Sequence, residues 1–128
     1  MTHNILIIDD HPAMTRLLHS ILIQAGYRVT VSNDPWAGQS LVDQERPDLV
    51  VLDVCMPGLD GYELCRRIRR RHRMPILMLS VRKAAPDVQR AYQSGADAYM
   101  SKPIAIDGFI EQVERLLHRQ MRRIVPCS

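Results

Sequence analysis

"PDLVVLDVCMPGLDG" (residues 47–61) decides the fold. Its apolar run stops at a single acid, Asp53, and Pro57 and Gly58 break the chain straight afterwards. "DLVVL" (48–52) has the β-branched content of a strand and no polar alternation. A strand apolar on both faces needs cover on both, which is the situation in a parallel sheet flanked by helices.

Working outward, the same rhythm repeats. "NILII" (4–8), "YRVTVS" (27–32), "PILMLS" (75–80) and "DAYMS" (97–101) read as further strands. Between them lie amphipathic stretches. The segment at 11–26 has Met14, Leu17, Leu18, Ile21 and Leu22 at helical spacing and Gly26 as its stop. Asp34 followed by Pro35 is an N-cap and first-turn pair, opening a helix that ends near Arg46. Asp60 lies near the start of a third helix, with Tyr62, Leu64, Cys65 and Ile68 inward. A fourth runs over about 86–93, and a fifth over about 106–121 with Phe109, Ile110, Val113, Leu116 and Leu117 inward. Five strands each followed by a helix predict a three-layer, doubly wound α/β domain. Residues 1–120 are expected to form that domain. Residues 121–128 read as a loose tail or the start of a linker, and hence of a longer protein.

Composition narrows the function classes. The 128 residues are 46% hydrophobic and 24% charged, ordinary values for one globular domain. No apolar stretch reaches the ~18–20 residues of a membrane span, and the N-terminus is wrongly flanked for a signal peptide, so a cytoplasmic protein is expected. Cys55, Cys65 and Cys127 lack the spacing of a disulfide framework or zinc site. The five histidines, His3, His11, His19, His72 and His118, are scattered and read as surface or packing residues. The net charge of +3 is concentrated in "CRRIRRRHR" (65–73) and "RLLHRQMRR" (115–123). Without interleaved aromatics these runs read as solvated, dipole-complementing helix faces and not as a nucleic-acid surface.

The carboxyl ends of the strands carry the chemistry, because an open parallel sheet binds its ligands there. Strand 1 delivers Asp9 and Asp10, strand 3 Asp53, strand 4 Ser80, and strand 5 leads into Lys102. Three acids on one edge repel one another and weaken the fold unless positive charge sits among them. Lys102 supplies one charge. A hard divalent ion such as magnesium, held by a few carboxylate oxygens and completed by water or phosphate, would supply two.

These residues resemble the receiver domain of two-component response regulators. The match rests on "IIDDHP", "PDLVVLDVCMPGLDGYEL", "PILMLS" and "GADAYMSKP", at the family's spacing, and covers about residues 3–119. The resemblance implies a flavodoxin-like sheet of order 2-1-3-4-5. It implies a phosphorelay in which Asp53 takes a phosphoryl group from a sensor histidine kinase or phosphotransfer protein. By the same resemblance Asp10 binds Mg2+ directly, Asp9 largely through water, and the main-chain carbonyl of Cys55 joins them, with the Met56-Pro57-Gly58 break turning the backbone. Lys102, followed by a Pro103 peptide that is often cis in relatives, neutralises phosphoryl charge. Ser80 donates to a phosphoryl oxygen, and Tyr99 is the aromatic switch residue, coupled to a surface of helix 4, strand 5 and helix 5 that serves dimerisation or an output partner. Such a protein catalyses only its own phosphorylation and dephosphorylation.

The chain also departs from the family pattern. Val81 follows Ser80 where alanine or glycine is usual, and is expected to narrow access to the site. Ala98, Gln112 and Ile104 replace residues that support the dimer of winged-helix transcription factors, which puts that dimer in question. A degenerate receiver acting without phosphorylation is the alternative, opposed by the presence of all five site residues. A magnesium-dependent phosphatase of the haloacid dehalogenase kind needs an acid two residues after the nucleophile, and Cys55 cannot serve.

Overall fold

The computed structural model describes residues 2–56 and 58–124, with side chains up to Arg119 in the last helix. Pro57, Cys127 and residues 125–128 lie outside the described residues. The elements are β1 (Asn4–Ile8), α1 (Pro12–Gln24), β2 (Arg28–Ser32), α2 (Pro35–Glu45), β3 (Leu49–Asp53), α3 (Gly61–Arg71), β4 (Ile76–Ser80), α4 (Ala85–Gln93), β5 (Ala98–Ser101) and α5 (Ile106–Ile124). All strand pairs are parallel, in the order β2-β1-β3-β4-β5. This is the flavodoxin-like α/β fold expected above.

Period-2 alternation divides the apolar strands between two cores. Leu6, Ile8, Val50, Leu52, Ile76 and Met78 face one side, against Val42 of α2, Leu64, Cys65 and Ile68 of α3, and Ala91 of α4. Ile5, Ile7, Leu49, Val51, Leu77 and Leu79 face the other, against Leu18 and Leu22 of α1 and Phe109, Val113 and Leu116 of α5. With both faces covered, the central strands are buried along their whole length. That explains why their sequences show no polar phase.

The predicted Asp34 cap holds, its side chain accepting from Ala37 N at 2.8 Å, and Asp60 caps α3 in the same way, accepting from Glu63 N at 2.8 Å. Several boundaries move. β3 begins at Leu49 and runs through Asp53, so the acid is the last strand residue and not the first loop residue. Asp48 instead exchanges two bonds with Asn4 at the foot of β1. α5 continues to Ile124, past the expected end near 121. Leu17 is 49% exposed although its spacing suggested the inner face. The buried set of α1 is Thr15, Leu18, Ile21 and Leu22, and Leu17 lies roughly 100° round the helix from Leu18.

The basic run of α3 is not uniformly solvated. Arg69 turns inward and donates to the carbonyls of Gly95 (2.8 Å) and Met74 (2.8 Å) and to Asp97 Oδ2 (2.6 Å). Asp97 also accepts from Ile76 N at 2.9 Å. This pair ties the end of α3 to the starts of β4 and β5, opposite the site. Arg67 instead lies over the Trp36 ring at 5.0 Å.

At the site end, α3 starts hard against the end of β3. A Cβ at Gly61 would stand 2.5 Å from the Asp53 carbonyl oxygen and 2.6 Å from Val54 Cα. Backbone atoms cannot rotate away, so only glycine fits there. Gly61→Ala is expected to cost about 1–3 kcal/mol in urea unfolding, as overpacking does; an unchanged midpoint would show that the strand end yields freely.

Candidate functional site

The loops after β1, β3 and β5 bring the acids and the lysine together. Asp9 N continues the β1–β2 ladder by donating to Ser32 O (3.1 Å), and Asn33 Nδ2 holds the Asp9 carbonyl at 2.8 Å. Asp9 is buried and Asp53 is 3% exposed. Lys102, its side chain 12% exposed, donates from Nζ to Asp9 Oδ2 (3.3 Å) and Asp53 Oδ1 (3.2 Å). Lys102 N donates to Ser80 O at 2.8 Å, which fixes the lysine to the end of β4. The Lys102–Pro103 bond is cis.

Both Asp9 oxygens are taken, Oδ2 by Lys102 Nζ and Oδ1 by His11 N, but Asp53 and Asp10 each keep one oxygen unpartnered. Asp53 Oδ2 and Asp10 Oδ1 are buried without a hydrogen-bond partner. Ligating atoms of Asp9, Asp10, His11 and Asp53 all lie within 4.8 Å of one another. Unpaired buried oxygens in an acidic cluster suit a hard cation, so the donor set fits magnesium. When bound, such an ion supplies positive charge for phosphoryl oxygens.

The electrostatics follow from this crowding. Burial pushes the Asp53 carboxyl above the ordinary aspartate range, and the Asp9 charge adds to the rise, against the opposing charge and hydrogen bond of Lys102. Burial acts to lower the Lys102 ammonium, but the charges of Asp53 and Asp9 outweigh it and hold the group above the usual lysine value.

Ser80 is fully buried at the end of β4, one position beyond Leu79, the register partner of Asp53. Its Oγ accepts from Arg82 N at 3.0 Å. Tyr99 packs partly buried against the α2–α4 core, and its hydroxyl donates to the Arg82 carbonyl at 2.6 Å. Arg82, in the loop 81–84, thus bonds through its main chain to both expected switch residues; nothing in its side-chain type signals this. Val81 beside them is 66% exposed. Cys55 is half-buried.

His11 is exposed, as expected of a surface histidine, but it also reaches the acids. Asp9 Oδ1 accepts from His11 N (2.9 Å), which folds the chain so that the ring points back over the acids. His11 Nδ1 lies 3.2 Å from Asp9 Oδ1, 3.1 Å from Asp10 Oδ1 and 4.0 Å from Asp53 Oδ2. Its place directly after the two acids was the available signal.

The family model for the response regulator receiver domain matches residues 5–114. The chain belongs to that family. Among full-length relatives, it is 40% identical over 120 residues to the transcriptional regulatory protein AfsQ1 of Streptomyces coelicolor, covering 91% of this chain and 53% of that one. It is 40% identical over 121 residues to the DNA-binding dual master transcriptional regulator RpaA of Synechocystis sp., covering 92% and 50%. The chain therefore spans about half the length of the curated relatives it matches. Among solved structures it resembles a CheY-like receiver domain from Methanospirillum hungatei (TM-score 0.91, 26% identity, 96% of this chain and 99% of that one). It also resembles the BeF3-activated receiver domain of Klebsiella pneumoniae RstA (TM-score 0.86, 26% identity, 89% and 97%). Among the described residues of this receiver, no helix is long and apolar enough to cross a membrane.

Because Asp53 titrates above its unfolded value, its contribution to stability is present below about pH 4 and lost as pH rises through the raised folded value. At neutral pH the ionised group opposes folding. Asp53→Asn is therefore expected to raise the apo melting temperature at pH 7 by roughly 2–5 °C, the scale of ~1 kcal/mol for a domain this size. A fall would mean that the Lys102 contact outweighs the repulsion.

Proposed function

We propose that this receiver accepts a phosphoryl group on Asp53 from a phosphohistidine of a sensor kinase or phosphotransfer protein, with Mg2+ as cofactor. The observation that carries this reading is the divided environment of Asp53: one oxygen on Lys102 at 3.2 Å, the other buried and unpartnered beside Asp10 and Asp9. An Asp53 oxygen bonds to phosphorus as the bond from phosphorus to the donor's imidazole nitrogen breaks, and the freed imidazole takes up a proton. A carboxylate nucleophile makes the step depend on alignment and charge neutralisation more than on a base. Lys102 holds the carboxylate in place and stays cationic against the phosphoryl oxygens. Asp10, Asp9 and the Cys55 carbonyl would hold the ion.

Signal output in this reading passes through Ser80 and Tyr99. A new acyl phosphate adds charge and strong acceptors. Ser80 Oγ reorients toward it, the Arg82 backbone bonded to Ser80 moves with it, and the Tyr99 hydroxyl bonded to that same residue follows. The face of α4, β5 and α5 then changes shape for a second copy or an output partner; a few kcal/mol of bias suffices. Residues 1–120 act as the receiver and 121–128 as tail or linker, in the cytoplasm, without direct nucleic-acid or membrane contact.

Incubation with phosphoramidate and Mg2+ tests this. Mass spectrometry should find one phosphoryl group on Asp53 in the wild type and none in Asp53→Asn; a label elsewhere, or none at all, contradicts the reading. In the same assay, with acetyl phosphate as donor, Val81→Ala should label faster if the exposed valine obstructs an incoming donor. Joint Ser80→Ala and Tyr99→Ala should keep the label but lose any phosphorylation-linked dimerisation.

A further inference from the structure

Beside the acidic edge, a cavity of about 430 Å3 opens between the β3–α3 turn and α4, with Cys55, Met56, Asp60, Tyr62, Arg82 and Arg90 in its lining. That volume falls in the ~300–1,000 Å3 range of small-molecule sites. Four arginines of α3 already have acids: Arg66 and Arg67 hold Glu63, Arg69 holds Asp97, and Arg71 holds Asp43. The two arginines of the cavity do not. Arg82 Nη1 stands 3.9 Å from Asp87 Oδ1, beyond hydrogen-bond reach. Arg90 forms no ion pair among the described residues, and its guanidinium carbon lies 4.3 Å from the centre of the Tyr62 ring. Tyr62 is itself buried, so this stacking holds the Arg90 head group at the cavity wall. Two forked donors therefore line one cavity with hydrogen bonds to spare.

We infer that this cavity binds a small phosphate monoester, its terminal oxygens bridging Arg82 and Arg90. A phosphate offers three terminal oxygens to two planar forks, where a carboxylate offers only two. Asp60 selects what is attached to the phosphate. Its Oδ1 is held by Glu63 N as the cap of α3, and the other oxygen calls for a donor, so the ester carries hydroxyl groups. Met56 gives the carbon chain of the ester an apolar wall. The site is separate from the acidic edge, since neither Asp9, Asp10, Asp53 nor Lys102 lines it. Arg82 bonds through its main chain to Ser80 Oγ and the Tyr99 hydroxyl, so a ligand gripped by Arg82 bears on the switch; only this consequence rests on the proposed function.

Cys55 reports on the cavity because it is half-buried in the lining, whereas Cys65 is buried. Alkylation of Cys55 in the full chain, without Mg2+, is followed by peptide mass spectrometry using anionic iodoacetate and neutral iodoacetamide. The ratio of the two rates cancels changes in thiol access and ionisation. It should fall about threefold in Arg82→Gln and in Arg90→Gln, the effect of one unit charge across ~6 Å of water. Glycerol 3-phosphate should slow the alkylation of the wild type and of neither variant. A ratio unmoved by both substitutions, no protection in the wild type, or protection that survives in both variants would overturn the inference. Protection lost in Lys102→Gln but kept in Arg82→Gln and Arg90→Gln would place the anion beside Asp53 and overturn it as well. Phosphorylation of Asp53 enters none of these readouts, so the proposed function can fail while this site stands.

Discussion

The structure turns on one ammonium group held between two buried carboxylates. Lys102 bridges Asp9 and Asp53 from the far side of the sheet, and without it three acids would crowd the same edge. One positive charge against three negative ones leaves the cluster short of neutrality. Burial sharpens the imbalance, since charges interact more strongly away from water. The raised Asp53 value and the two orphaned oxygens express the same deficit in protonation and in geometry. A cation and a phosphoryl group are what the proposed function would bring to this arrangement.

The scaffold makes that tension affordable. Two apolar cores, one on each face, hold the strands so rigidly that their ends cannot drift apart to relieve repulsion. At the opposite end of the sheet, Arg69 and Asp97 close the chain with hydrogen bonds from three elements. The molecule therefore places a satisfied ion pair at the amino ends of β4 and β5 and a strained acidic cluster at the carboxyl ends.

Most of this was legible in the sequence because it depends on period and topology. All-apolar strands at 49–52 and 76–79 require cover on both faces, and alternating helices make the sheet parallel. Once it is parallel, Asp9, Asp53, Ser80 and Lys102 must share an edge whatever the details. What stayed hidden depends on single backbone turns and on rotational phase. His11 enters the site because Asp9 accepts its amide hydrogen, a local fold that residue types do not announce. Arg69 is set apart from the neighbouring arginines by rotational phase, falling between buried Cys65 and Tyr62 around the helix, within the inner face. Leu17 misses the core for the same kind of reason, being apolar but out of phase with the buried stripe. Arg82 links Ser80 to Tyr99 through main-chain atoms that every residue possesses.

The central claim is that the acidic edge is incomplete without a divalent cation. It is tested most directly by the unfolding free energy of the wild type and of Asp10→Asn across a range of Mg2+ concentrations. The account predicts that wild-type stability climbs with Mg2+, by about 2.7 kcal/mol at a hundred times the dissociation constant, while Asp10→Asn responds weakly. A wild type whose stability ignores Mg2+ would contradict it.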